Sequence, residues 1–215
     1  MKKKILVISL IVSLVAIAAL GATLAYFTDT STVDNTFTVG NVKIDLKEII
    51  GYENDEPVYG EPGENGKVDF GTMLPGSYKT KAPFIENIGS NAAYVQLKVT
   101  INNADAFDQM FRDYNASHEV KLSIADFIKG IDSSWTYAGN VKNADNTRTY
   151  TYTYNGPLAA GAATSPLFAG IEIPTFIDGE FANAEIEDFA ISIVAEAIQA
   201  DNFDNAAAAY AELNK

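Results

Sequence analysis

The chain has 215 residues, enough for one domain with a full hydrophobic core, and its 28 acidic and 15 basic residues give a net charge of -13. This acidity argues against nucleic acid and anionic lipid surfaces as partners, since both repel such a chain. Cysteine is absent, which excludes disulfides, cysteine nucleophiles and thiolate metal sites.

The first 25 residues have the pattern of a secretory signal peptide. Lys2, Lys3 and Lys4 precede an apolar run over residues 5–20, and small residues follow it. We expect cleavage between Ala25 and Tyr26, so that the chain contacts the membrane only before processing and then works outside it. A retained membrane anchor is the alternative, because the uncharged segment is long enough to span a bilayer.

Residues 26–40 are predicted to form an N-terminal strand, and its first part, residues 26–35, is too poor in apolar residues to fold alone. The apolar side chains of this segment share one parity: Phe27, Val33, Phe37 and Val39. A strand of this kind can complete an open sheet edge through main-chain hydrogen bonds, with the spaced side chains setting the register. After Gly40 the apolar parity shifts, which indicates either a glycine bulge or two strands that serve different sheets or different molecules.

Residues 41–201 are predicted to form one all-β antiparallel domain, a sandwich or jelly roll, because many short alternating segments are separated by turns. Strands are expected over residues 81–88, 94–101, 148–154, 168–173 and 189–197, and a hairpin loop over 140–146. Residues 51–66 are rich in glycine, proline and acids and are predicted to form a loop. Short helices are expected over residues 104–114 and 123–130.

Residues 202–215 are predicted to form a short C-terminal helix or a tail. Asp201 or Asn202 could cap the helix, and an apolar stripe follows at Phe203, Ala207, Tyr210 and Leu213.

A row of tyrosines lies on one face of the strand predicted over residues 148–154: Tyr150, Tyr152 and Tyr154. Such a row could stack on a ligand. We expect instead a half-exposed sheet face stabilised by cross-strand pairs.

No pattern of catalytic residues is visible, and we expect the chain not to be an enzyme. His118 is the only histidine, so the two-histidine zinc helix of metalloproteases cannot form. No serine has a nucleophile-elbow context and no glycine-rich phosphate loop occurs. The acids at residues 54–56, 61–64 and 185–188 could bind calcium; we expect solvated acidic loops and no metal or other cofactor.

Several stretches together carry a family resemblance: Ala25-Tyr26-Phe27-Thr28-Asp29, Asn35-Thr36-Phe37-Thr38-Val39-Gly40, Val42-Lys43-Ile44-Asp45-Leu46 and Met73-Leu74-Pro75-Gly76-Ser77, with residues 84–90, 155–168 and 191–199. In these stretches the chain resembles the TasA/camelysin (CalY) family of Gram-positive secreted proteins. The likeness runs from the leader to about Asp201.

The resemblance implies an antiparallel jelly roll, cleavage by a dedicated SipW-type signal peptidase, and a role as a fibre subunit of the biofilm matrix at the cell surface. It also implies a homopolymer, with an accessory or anchor protein as a further partner. Subunits would join by donor-strand complementation, in which the N-terminal strand of one mature subunit fills a groove in the next, and the segment from Phe27 to Gly40 matches that donor.

Two other functions stay open. Camelysin-like relatives have been described as cell-surface metalloproteases, although a single histidine gives that activity little support here. A monomeric surface protein that binds a ligand through the tyrosine face is the other.

Overall fold

A computed structural model describes residues 28–31, 42–60, 75–177 and 190–213 of the chain. Its strands are β1 (Thr28–Ser31), β2 (Ile44–Glu53), β3 (Glu56–Tyr59), β4 (Tyr78–Thr80), β5 (Ala82–Asn87), β6 (Ala93–Ile101), β7 (Ile128–Lys129), β8 (Trp135–Lys142), β9 (Arg148–Tyr154), β10 (Gly170–Glu172) and β11 (Ile191–Gln199). Its helices are α1 (Ala104–His118), a 3-10 turn (Ile124–Phe127) and α2 (Ala206–Leu213). The prediction of a β-rich chain is confirmed.

The strands form three antiparallel sheets. The largest has the order β1-β11-β6-β9-β8, and the two smaller sheets have the orders β4-β10-β7 and β3-β2-β5. Each strand pair is antiparallel, including β2 with β5, which runs from Ile44 opposite Asn87 to Ile49 opposite Ala82.

One main hydrophobic core collects inward side chains from all three sheets and from α1. The alternation predicted for β6 is confirmed, since Val95, Leu97 and Val99 are fully buried. Phe107 of α1 packs edge-on against Phe127 of the 3-10 turn, with ring centroids 5.8 Å apart. The apolar periods of β6 and α1 therefore place both elements against the same core.

A second, smaller core lies on the other side of the five-stranded sheet and includes side chains of the C-terminal helix α2. Tyr94 of β6 and Ile198 of β11 are buried there against Ala209 and Tyr210 of α2. β11 is therefore buried on both faces for part of its length, with Ala195 and Ala197 in the main core and Ile198 in the smaller one. Among the described helices none has the length and apolar character that a bilayer crossing needs.

The C-terminal helix begins later than its predicted stripe. Asn205, not Asp201 or Asn202, caps α2, because the Ala208 N–H donates to Asn205 Oδ1 at 2.9 Å. Ala207 is exposed, so the helix presents a face rotated from the one expected. Four consecutive alanines give the sequence too little contrast to fix that face.

Two predicted loops are shorter in the structure than expected. β2 continues through Gly51 to Glu53 and pairs with β3. The prediction of a loop over residues 51–66 is therefore wrong for residues 51–53 and 56–59, which are in strands. The turn between β2 and β3 is Asn54-Asp55, with φ values of 52° and 67°, the backbone of a two-residue hairpin that Asn and Asp tolerate. The predicted 140–146 loop also shrinks, since β8 extends to Lys142.

The helix expected over residues 123–130 is a single 3-10 turn followed by β7. Ser123 and Asp126 form a capping box at its start, with the Ser123 N–H donating to Asp126 Oδ2 at 2.7 Å. Ile128 then adopts an extended conformation and pairs with Ile171 of β10. Tertiary pairing of a β-branched residue therefore ends the helix early.

Candidate assembly site

The outer edge of β11 is the place where the predicted donor segment meets the folded domain. β11 pairs along its whole length with β6, from Ile191 opposite Ile101 to Gln199 opposite Ala93. On its other side it pairs with β1 only from Ala195 to Ile198. Within the described part of the chain, residues 191–194 have no strand on that outer side.

β1 itself consists of Thr28, Asp29, Thr30 and Ser31. This sequence contains no apolar side chain, so a buried apolar face cannot be what selects its partner. Threonine favours extended backbone, and an added edge strand gains its affinity chiefly from main-chain hydrogen bonds. The sequence of β1 therefore suits a strand that adds to an existing edge.

The helix α2 braces β11 from the face of the sheet that is turned away from the main core. The Tyr210 hydroxyl donates to the carbonyl oxygens of Tyr94 and Glu196, each at 3.0 Å, and so links β6 to β11. Burial, with the Glu196 charge as a lesser cause, raises the pKa of Tyr210 well above its ordinary value. The hydroxyl therefore stays a donor over the physiological pH range and links β11 to β6.

Side chains on the same face add a second link between β6 and β11. Lys98 Nζ lies 2.5 Å from Glu196 Oε1, and Gln96 donates to the other Glu196 oxygen. β11 is therefore held to β6 by an ion pair and a side-chain hydrogen bond as well as by main-chain hydrogen bonds.

The opposite edge of the five-stranded sheet is built differently. In β8 the register with β9 shifts between Tyr137 and Gly139, and Gly139 has a φ of 135°. A bulge of this kind twists an edge away from regular pairing, and Lys142 at the end of the strand adds a charge. On the other side of the sheet, β11 keeps an unbroken register with both of its neighbours.

The residues predicted for cleavage and donor assembly lie outside the described residues: Ala25, Tyr26, Phe27, Val33, Phe37, Val39 and Gly40. The described part of the predicted donor segment is β1. Its pairing with β11 could not be read from the sequence, although the alternation that identified β11 could.

The tyrosine row of β9 faces the main core. Tyr152 is 4% exposed, while Tyr150 and Tyr154 are half-buried against the same core. Cross-strand ring pairs occur as expected, with centroids 5.4 Å apart for Tyr137 and Tyr152 and 5.2 Å apart for Trp135 and Tyr154. The row is more buried than a half-exposed face, because α1 lies over this end of the sheet.

His118 is exposed at the C-terminal end of α1, where its ring stacks on Tyr114 at a centroid distance of 4.1 Å. Its Nδ1 lies 3.0 Å from the Tyr114 carbonyl oxygen. The described residues include no group of three histidine or acidic side chains placed to hold a metal ion. Of the acidic clusters, residues 54–56 form the β2–β3 turn, and the other two lie outside the described ranges.

Comparison of the chain with protein-family models, with curated proteins and with solved structures found no match.

Proposed function

We propose that this chain is a secreted structural subunit of an extracellular matrix fibre that polymerises head to tail by donor-strand complementation after its signal peptide is cleaved. The observation that supports this most is the antiparallel pairing of Thr28–Ser31 with the outer edge of β11. That four-residue stretch falls inside the segment that the sequence predicts as a donor.

The same pairing can be made within one chain or between two. Because β1 is held by main-chain bonds to an edge strand, residues 28–31 of a neighbouring subunit can take the same place with the same register. An exchange of this kind uses one surface as donor and a different surface as receptor. Such a contact does not close on itself, so its repetition builds a fibre.

The register gives a reason for the parity of the donor segment. Asp29 stands opposite Ala197 and Ser31 opposite Ala195, both of which belong to the main core. A donor strand that continues in this register places its odd-numbered positions on the main-core face and sets Val33 opposite Ile193. The apolar residues of the predicted donor are the odd-numbered ones, so they would lie on that face. Val33 would meet Ile193 there, whereas Phe37 would fall beyond Ile191, where β11 begins.

Signal cleavage supplies a switch in this proposal. Before cleavage the leader would hold the donor at the membrane, and after it the donor would be free to enter the next subunit. A jelly-roll arrangement of the three antiparallel sheets belongs to the same proposal and would supply the groove.

The test compares two aspartate substitutions at neighbouring donor positions of the processed chain. Phe37→Asp puts a charge on the apolar face of the donor, whereas Thr38→Asp puts it on the opposite face. Burying one phenylalanine contributes roughly 1.5–3 kcal/mol, so Phe37→Asp should raise the critical concentration for filaments at least tenfold, as measured by sedimentation and electron microscopy. Thr38→Asp should change it little.

Two results would count against the proposal. Filaments that form equally well with Phe37→Asp would remove Phe37 from the subunit contact. An equal loss of free energy of unfolding in the isolated subunit would place Phe37 in its own core.

A further inference from the structure

A cavity of about 560 Å³ lies between α1, the segment 122–125 and the β8–β9 end of the five-stranded sheet. Its size falls in the range of about 300–1,000 Å³ that small-molecule sites occupy. It is separate from the β11 edge, on which the assembly proposal rests.

The inner wall of the cavity is apolar, with Phe107 and Phe111 from α1 and Leu122 and Ile124 from the segment that follows it. Three of these four side chains are buried in the main core and the fourth, Leu122, packs against it. These three are fixed by packing and stand behind the wall, with Phe107 1% and Phe111 7% exposed. Leu122 is half-buried and is the apolar side chain of this group that is open to the cavity.

The opposite wall carries phenol hydroxyls from β8 and β9. The Tyr137 hydroxyl accepts a hydrogen bond from Asn140 Nδ2 at 2.6 Å. The hydroxyls of Tyr150 and Tyr152 make no hydrogen bond to any residue that the structure describes. Among the described residues, every buried side-chain nitrogen or oxygen atom has a hydrogen-bond partner. These two hydroxyls must therefore reach open space, and both residues line the cavity.

Both hydroxyls are donors at neutral pH. Burial raises the pKa of Tyr150 to about 12 and also raises that of Tyr152. A protonated phenol can donate a hydrogen bond to an anion that enters the cavity.

Of the charged side chains that line the cavity, one arginine has no carboxylate partner among the described residues. The chain contains two arginines, Arg112 and Arg148, and both line this cavity. Arg148 Nη2 lies 2.5 Å from Asp108 Oδ2, so the charge of Arg148 is neutralised. Arg112 donates to Gln109 Oε1 at 2.7 Å, and no described carboxylate lies within ion-pair distance of it. In a chain of net charge -13, this placement points to an anionic ligand.

We propose that this cavity binds a small amphiphilic carboxylate, with the apolar body against Leu122 and the ring of Tyr137 and the carboxylate at Arg112. A guanidinium is the side chain that best matches a carboxylate, because it can donate two parallel hydrogen bonds. The tyrosine hydroxyls supply further donors. Asp108 stays occupied by Arg148 and does not oppose the ligand charge.

The experiment measures calorimetric binding of 4-phenylbutyrate and of its uncharged analogue 4-phenylbutanol to the purified protein. We expect saturable binding with the carboxylate preferred about tenfold or more, the gain typical of a hydrogen bond to a charged group. Arg112→Gln should abolish the preference. Lys121→Gln removes the same charge from an exposed site near the cavity that does not line it, and should retain the preference.

Circular dichroism of both variants checks that the fold is intact. Absence of saturable binding for both compounds, equal affinity for the two, or an unchanged preference in Arg112→Gln would each overturn the proposal. None of these results bears on filament formation, which is measured separately.

Discussion

Removal of one hydroxyl from α2 tests whether this helix holds β6 and β11 together. In Tyr210→Phe the ring still fills the small core, but the bonds to the Tyr94 and Glu196 carbonyl oxygens are lost. One hydroxyl hydrogen serves both carbonyls, so the loss counts as little more than one buried hydrogen bond, about 1–2 kcal/mol. For a domain of this size that corresponds to a fall in Tm of about 3–6 °C.

The assay is urea unfolding followed by the fluorescence of Trp135, the only tryptophan of the chain, which is 5% exposed. Tyr94→Phe is the matched control, because its hydroxyl makes one longer bond, 3.3 Å to the Phe203 carbonyl oxygen. We expect the control to lose about half as much free energy of unfolding as Tyr210→Phe. A Tyr210→Phe variant as stable as the parent chain, or less affected than the control, would refute the bracing role of α2.

Two further predictions concern buried ionisable groups. Lys81 and Glu48 form a largely buried pair, with Lys81 Nζ 2.5 Å from Glu48 Oε1. Lys81→Met should lower the free energy of unfolding by about 3 kcal/mol, because it leaves the Glu48 carboxylate unpaired. The double variant Lys81→Met, Glu48→Leu should have nearly the parent free energy of unfolding in the same urea titration. A double variant as unstable as the single one would show that the pair itself stabilises the fold. Tyr150 has its pKa raised from 10.0 to about 12, chiefly by burial, so its contribution to stability is complete below pH 10 and is lost as pH rises through about 12. Tyr150→Phe should therefore flatten the alkaline fall in stability measured by unfolding between these pH values, and an unchanged slope would contradict the raised pKa of Tyr150.

Much of the strand pattern could be predicted from the sequence because alternation reports directly on a sheet with one buried face. β6, β9 and β11 have long runs in which every second residue is apolar or aromatic, and each was expected within one or two residues of its observed bounds. The helix α1 could be predicted from helical spacing, because Phe107, Met110 and Phe111 form one buried face.

The division into three sheets could not be predicted, because it depends on contacts between distant parts of the chain. Lys98 and Glu196 are 98 positions apart and meet only when β6 and β11 pair. The β2–β3 hairpin was missed for a local reason, since Asn54-Asp55 is a weaker turn signal than a dipeptide that contains glycine. The cavity could not be predicted from the sequence, because its two arginines and three tyrosines come from three separate elements, α1, β8 and β9.

The parity of the donor segment was visible in the sequence, but the surface it matches was not. Phe27, Val33, Phe37 and Val39 have a common face in any extended strand. That this face coincides with Ala195 and Ala197 in the register of β11 requires the pairing itself.

The most direct test of donor-strand complementation is disulfide capture between different chains. Thr30 stands opposite Glu196, opposite Cβ atoms of an antiparallel pair lie about 4.5–5.5 Å apart, and the chain has no cysteine of its own. Processed Thr30→Cys and Glu196→Cys chains are mixed, allowed to assemble and oxidised, with each variant alone as the control. Donor-strand complementation predicts covalent dimers in the mixture and none in either control. A mixture that yields no dimer, while a chain carrying both substitutions closes on itself as a cross-linked monomer under the same conditions, would contradict it.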